Sequence, residues 1–414
     1  IGLMASINPQ AGSSGLTLMA LAAVLLGFSS ATQDIVIDAY RIESADTDLQ
    51  ALMSATYIVG YRIAMIVAGA GSLFLATWFG SSSEIYVYQA WQYTYGVMAA
   101  FMLVGIGTTL IIDEPGDRTS ATIIESNADY ARFLLMFIIA VGGFIACFYY
   151  SRDIASSAKV VFSESLGNRY LGGFMIELLR LGAAIGVAWI LFRVLTKARV
   201  VSDAMVERSY LMPVRDFFER YGSSFAWLLL ALVGLYRISD IVLGVISNVF
   251  YYDLGYDKSE IGQAVFVFGL LMTITGSLIG GLLSVRFGVI RILFLGALLS
   301  AATNLLFVIL ATVGYNMSWL YIVISADNLS AGLASAAFIA FLSSLTNISF
   351  TATQYAIFSS LMTLLPKLIG GYSGTMVDAI GYSNFFLLTA LMGIPVLLLI
   401  LVAARRYQFS FKLA

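Results

Sequence analysis

The chain has 414 residues, 60% of them hydrophobic and only 11% charged, with a formal net charge of -2. A soluble domain carries about a quarter charged residues, so this composition defines an integral membrane protein, and its near-neutral balance leaves no basic footprint for nucleic acid. With no histidine and one cysteine, Cys147, an intramolecular disulfide and a cysteine-held metal site are excluded, and proton chemistry falls to carboxylates, Tyr, Lys or water.

A spanning helix needs about 20 mostly apolar residues. Eleven stretches qualify, at roughly 15–39, 52–78, 91–112, 131–150, 171–195, 226–250, 261–283, 291–313, 319–342, 354–377 and 384–403. Their interrupted hydrophobicity and many glycines fit an all-α helical bundle, not a barrel. No charged n-region precedes an apolar run at Ile1, so the start is not a signal peptide. The sequence is read as the middle of a longer chain.

The first span runs without a break into "FSSATQDIVIDAYRIESADTDLQ", Phe28–Gln50. Residues four apart share a helical face, so Ser30, Asp34 and Asp38 line up, with Arg41 one turn on. Two like-charged carboxylates at a membrane mouth can hold and release a proton; they can also be a hydrated helix end neutralised by Arg41. Thr32 and Gln33 add hydrogen-bonding groups beside them. Arg62 lies about ten residues into the second span, roughly 15 Å deep, where an ionisable side chain needs a partner or a wet cavity. It either clamps two helices through a carboxylate or answers an anionic ligand group with its fork of donors. Gly60, Ala64 and Ala68 recur every four residues, with Gly71 nearby, a small-residue face expected to pack closely.

The polar stretches 113–129, 151–170 and 196–224 divide the chain and flank two interposed spans, where Glu177 and Arg180 are expected to form a structural pair. In the sixth span Arg237 and Asp240 stand one turn apart. They either neutralise each other or form a switch in which a ligand takes the cation while Asp240 takes a proton. Gly276, Gly280 and Ser284 form a second packing line. Asp327 is another candidate proton carrier, or an interhelical hydrogen-bonding group. Lys367 follows Pro366, which kinks its helix and turns the cation toward the interior. No Walker loop, HExxH or GxSxG is present, and no base–nucleophile pair is evident, so neither an ATP-driven pump nor an enzyme is expected.

Lys and Arg set orientation. Arg41, Arg118, Lys197, Arg199, Arg208, Arg215, Arg220, Arg286, Arg291, Arg405, Arg406 and Lys412 fall on one side, against Arg152, Lys159, Arg169 and Lys258 on the other. The first side is expected to be cytoplasmic, with the C-terminus inside. Trp78, Trp91, Tyr149, Tyr150, Tyr251, Tyr252 and Trp319 should form an aromatic belt.

"GGLLSVRFGVIR", Gly280–Arg291, resembles in degenerate form the signature loop of the major facilitator superfamily, with Val285 in place of its acidic residue. It falls between the second and third spans of the last six, as that loop falls within a six-helix half. "LQALMSATYIVGYR" and "TQYAIFSSLMTLLP" can be laid side by side as parallel repeats. "SSATQDIVIDAYR" closely resembles a motif of the AmpG-type muropeptide permeases, members of that superfamily near the acetyl-coenzyme A transporters. "GYRIAMIVAG", "PVRDFFERYG", "LYRISD" and "NISFTATQYAIFSSL" follow in order.

The resemblance implies two six-helix halves, the first incomplete here, with two extra helices between them. Residues 1–114 would be the partial first half, 115–224 a linker with the interposed spans, and 225–414 the second half. It implies proton-driven import of anhydromuropeptides across a bacterial inner membrane for cell-wall recycling, by a monomer without cofactor or metal. Substrate would meet Arg62, Arg237, Lys367, Tyr61, Tyr236 and Gln33, the tyrosines stacking on sugar rings. Asp34, Asp38, Asp240 and Asp327 would carry the proton. The alternatives are a transporter of acetyl-coenzyme A or another large anion, and a non-transporting receptor on the same fold.

Overall fold

The computed structural model describes residues 1–46, 49–82, 85–115, 127–167, 169–201 and 203–410. Asp48, Arg118, Lys412 and the Arg169 side chain, which enter the sequence reading above, lie outside the described residues. Every regular element among the described residues is helical, and eleven helices are long and apolar enough to cross a membrane. The main helices, these and two shorter ones, with the sixth span counted as α8 and α9, run as α1 Ser13–Glu43, α2 Gln50–Trp78, α3 Tyr88–Ile111, α4 Asn127–Tyr150, α5 Arg152–Leu166, α6 Arg169–Lys197 and α7 Met212–Tyr221. The second part comprises α8 Ser223–Leu235, α9 Ile238–Asp253, α10 Lys258–Phe287, α11 Val289–Val313, α12 Met317–Leu345, α13 Thr351–Gly370 and α14 Ser373–Ser410.

Two of these, α5 and α7, were not among the expected spans. Both are short and amphipathic and sit inside the polar stretches, so their apolar residues never accumulate to membrane length. The sixth span is also broken: α8 stops at Leu235 and α9 starts at Ile238. In α14, Gly381 has non-helical angles, φ 76° and ψ 164°. Gly222 and Gly288 have matching geometry, φ 71° with ψ 149° and φ 88° with ψ 144°, and each makes a one-residue corner between helices. Positive φ is open to glycine at little cost. The stretch from Ser373 to Gly381 climbs beside α9, since Ser373 donates to the Val242 carbonyl at 2.9 Å and Tyr382 to Asp253 at 2.5 Å. The expected 354–377 span is therefore present with a break at Gly371–Tyr372.

Burial places the core in the last six spans. Between 22% and 56% of each one's most apolar stretch is buried, against 6–11% for the first five. Phe250, Phe307, Phe341, Phe385 and Phe386 are at its centre. Helices α10 and α12 approach closely: a Cβ on Gly276 would lie 2.1 Å from the Leu329 carbonyl oxygen, and one on Gly280 2.7 Å from that of Leu333. We expect Gly276→Ala to destabilise by about 1–3 kcal/mol through overpacking, read as a lowered Tm in detergent. Gly244→Ala, where a Cβ meets nothing within 4 Å, should leave Tm unchanged or raised; equal responses would contradict the close contact.

Helix α2 joins this block by a different face from the one its glycines suggested. Gly60, Ala64 and Ala68 are exposed, and a Cβ at Gly60 meets nothing within 4 Å. The packed stripe is Ala51, Ser54, Ala55 and Ile58, where the Ala55 methyl lies 2.6 Å from a Cβ placed on Gly281. The packed stripe repeats at three to four residues, and its next member is Arg62. Tyr251 also departs from the expected belt: it is buried against Phe307 at 6.3 Å, while Trp78, Tyr149, Tyr150 and Tyr252 are exposed.

Candidate functional site

The break between α8 and α9 positions the first charged group. Tyr236 anchors it: its ring stacks on Phe338 with centroids 4.3 Å apart, and its hydroxyl donates to the Leu293 carbonyl at 3.0 Å. Tyr236 is 5% exposed, so it stands in the core instead of on a cavity wall. Arg237 caps α9 and faces Asp240 one turn on, Nη2 to Oδ2 at 3.8 Å. Asp240 also accepts a hydrogen bond from Ser300 of α11. Behind them Asn304 donates to Ser239 Oγ at 2.8 Å and to Thr389 Oγ1 at 3.1 Å, linking α9, α11 and α14. Asp327 stands on α12, half-buried, with its carbonyl accepting from Ser330 at 2.9 Å.

Arg62 comes from α2, on the stripe that packs against the core, and is half-buried. Its Nη1 reaches only the Met65 sulfur, at 3.9 Å, and its Nε is buried without a partner. Among the described residues, no carboxylate lies within 4.0 Å of its guanidinium. A cation in this position is costly unless an anion arrives. Contacts thus join Arg237, Asp240 and Ser300 across α9 and α11, while Arg62 stands on α2 and Asp327 on α12.

The other candidates are distributed elsewhere. Tyr61 is 53% exposed and stacks on Tyr57 with centroids 6.5 Å apart. Lys367 is exposed in the last turn of α13, after the buried Pro366. Gln33 borders a shallow groove against Met102, Gly105 and Thr109 of α3. Asp34 is exposed, and Asp38 belongs to a second charged group one turn further along α1.

That second group centres on Arg41, which the sequence suggested only as a neutraliser. Arg41 is 4% exposed. It donates to Asp38 Oδ1 at 3.3 Å, Ser54 Oγ at 3.2 Å and Ser343 Oγ at 3.0 Å. The guanidinium also lies over Tyr57 at 5.7 Å and Tyr355 at 5.4 Å. One side chain therefore ties together α1, α2, α12 and α13 at one end of the bundle.

At the same end, two motifs far apart in sequence meet. Asp216 of α7 accepts from Arg220 at 2.9 Å, Asn347 at 2.8 Å and Gln354 at 2.8 Å. Arg220 reaches the Leu345 carbonyl at 3.1 Å, and Gln354 donates to that of Pro213 at 2.7 Å. "PVRDFFERYG" and "NISFTATQ" thus form one hydrogen-bonded lock. Glu177 bridges Lys159 at 2.5 Å and Arg180 at 3.3 Å, the structural pairing expected there. Among the described residues, no group of three or more His, Cys, Asp or Glu is placed to hold a metal ion.

These features define a polytopic all-α membrane protein with an incompletely paired cationic interior. The comparisons sharpen the class. The chain is 28% identical over 398 residues to a Rickettsia conorii protein named "Putative transporter AmpG 4", covering 96% of this chain and 74% of that one. It is 26% identical over 394 residues to the anhydromuropeptide permease of Escherichia coli K12, covering 95% of this chain and 61% of the permease. The chain is homologous to AmpG-type proteins over nearly its whole length, and these relatives carry the names of transporters, not enzymes. No family model matches. A bacterial homologue of the iron transporter ferroportin, solved facing outward, aligns over 97% of this chain and 94% of its own, with 12% identity and a TM-score of 0.41.

Proposed function

We propose that the chain forms the core of a proton-coupled transporter of the major facilitator superfamily that imports anhydromuropeptide-like anions through a bacterial inner membrane for cell-wall recycling. The observation that carries this reading is Arg62: a half-buried cation on the packed stripe of α2, its Nε buried without a partner, with no carboxylate of its own among the described residues. A carboxylate on the cargo supplies the missing counter-charge, and the names of the homologues supply the cargo class. Residues 1–114 form part of one half, 225–414 the other, and 115–224 the insertion between them. The Lys and Arg distribution supports a cytoplasmic C-terminus, and the unit works as a monomer.

In this mechanism the cargo carboxylate takes Arg237 from Asp240. Asp240, left with only Ser300 in a low-dielectric interior, takes up the driving proton. Alternating access then rocks the two halves around this group. The test is uptake of labelled anhydromuropeptide by membrane vesicles with an imposed pH gradient. Uptake should follow the gradient and collapse with an uncoupler; uptake indifferent to the uncoupler refutes proton coupling. Competition by unlabelled acetyl-coenzyme A instead of muropeptide would reassign the cargo, and absence of any uptake would favour a receptor.

A single substitution separates coupling from binding. Asp240→Asn should keep cargo binding within about threefold, because Arg237 is freed, and remove the pH-gradient dependence of uptake. Gradient-dependent uptake by the variant would transfer the coupling role to another carboxylate.

A further inference from the structure

At the end of the bundle opposite Arg41, the interposed helices meet the second part of the chain. Here α5, the start of α6 and the junction of α13 with α14 enclose two adjoining cavities. One, of about 390 Å³, is walled by Leu171, Phe174, Met376, Ile380 and Leu388. The other, of about 970 Å³, is bordered by Lys159, Glu164 and Asp378. Tyr372 and Thr375 line both, so the apolar and polar chambers share a wall. Phe174 holds this wall by an edge contact to Tyr372 at 5.3 Å.

The position matters as much as the lining. Helix α5 links two spanning helices, so it lies at the edge of the bilayer. It carries exposed Ile154 and Val161 on one side and charged residues on the other, the pattern of a helix lying in the membrane interface. An amphiphile lying along α5 would meet both chambers, its headgroup suited to the polar one and its chains to the apolar one.

The charges select the headgroup. Lys159 is already paired with Glu177 at 2.5 Å. Glu164 and Asp378 are exposed, and among the described residues neither has a cation within 4.0 Å. Among the described lining residues, an anionic headgroup would face two carboxylates with only a neutralised lysine in return. A zwitterionic headgroup places an ammonium on Asp378 and Glu164 while its phosphate shares Lys159. We propose that this double cleft is a phospholipid site selective for phosphatidylethanolamine, and that the interposed helices seat this lipid against α13 and α14.

The experiment uses the purified full chain, stripped of lipid and titrated with phosphatidylethanolamine or phosphatidylglycerol of matched acyl chains, with retained lipid counted by native mass spectrometry. One phosphatidylethanolamine should be held roughly tenfold more tightly than phosphatidylglycerol. Ala379→Trp, which plugs the apolar chamber from an exposed position, should remove that lipid. Asp378→Lys, also at an exposed position, should turn the preference toward phosphatidylglycerol, and it decides the matter if the tryptophan variant fails to fold. Equal retention of the two lipids by the unaltered chain, or retention untouched by Asp378→Lys, overturns the proposal.

Discussion

Arg62→Ala should abolish measurable uptake, a fall of at least about 100-fold, while leaving Tm unchanged or raised. Two charge-assisted hydrogen bonds to a cargo carboxylate account for a loss of that size. The stability side of the result is the more informative. Removing a cation that has no counter-charge relieves a cost instead of breaking a contact. Among the described residues its guanidinium makes one side-chain contact, to the Met65 sulfur at 3.9 Å. Arg62→Lys should recover part of the uptake, remaining about tenfold down, because lysine keeps the charge and loses the planar fork. A Tm that falls by several degrees in Arg62→Ala would identify the residue as a clamp between helices and remove the main support for an anionic cargo.

Arg41→Ala should give the opposite signature. Its three hydrogen-bonding partners are Asp38, Ser54 and Ser343, and two tyrosine rings flank it. Truncation strands Asp38 in a half-buried position and empties a site that is 4% exposed. Breaking a buried pair of this kind costs about 3–5 kcal/mol, so Tm should drop substantially even with no cargo present. Ser343→Ala removes one of those bonds and should cost only about 1 kcal/mol. Thermal unfolding of the two variants in the same detergent checks this. An Arg41→Ala protein as stable as its parent would mean that the four helix ends are held by other contacts.

The membrane-spanning pattern was legible because it is local: twenty apolar residues announce themselves wherever they lie, and the helix ends fall within a few residues of the expected stretches except around the last turn, where 354–377 ends at Gly370 and 384–403 starts at Ser373. Breaks inside spans were not legible. Nothing in the hydropathy of "LALVGLYRISDIVLG" marks the unwinding at Tyr236–Arg237, which depends on Phe338 and the Leu293 carbonyl, about 100 and 57 residues away. The depth of Arg62 could be counted from its span, and so could its proximity to the packed face. The direction of its neighbours could not: the glycine and alanine stripe that looked adhesive is open, and the true stripe uses Ala51, Ser54 and Ala55. Arg41 was visible only as the neighbour of Asp38, because Ser343 lies 302 residues away. The same limit applies to Gln354, whose hydrogen bonds reach back 138 and 141 residues to α7.

Two of the joints between α1–α2 and the rest of the molecule differ in mechanical character. Where Ala55 meets Gly281, the contact is made by small groups on bare backbone, with a spacing of 2.6 Å to a Cβ placed on that glycine. Such a surface has no tall ridges to interlock, so one helix can glide along the other by small shear steps without repacking large side chains. Arg41 is the reverse, a latch that holds in one setting and must be released as a unit. A rocking machine built this way has a smooth bearing and a single catch, and its pace is set by the catch.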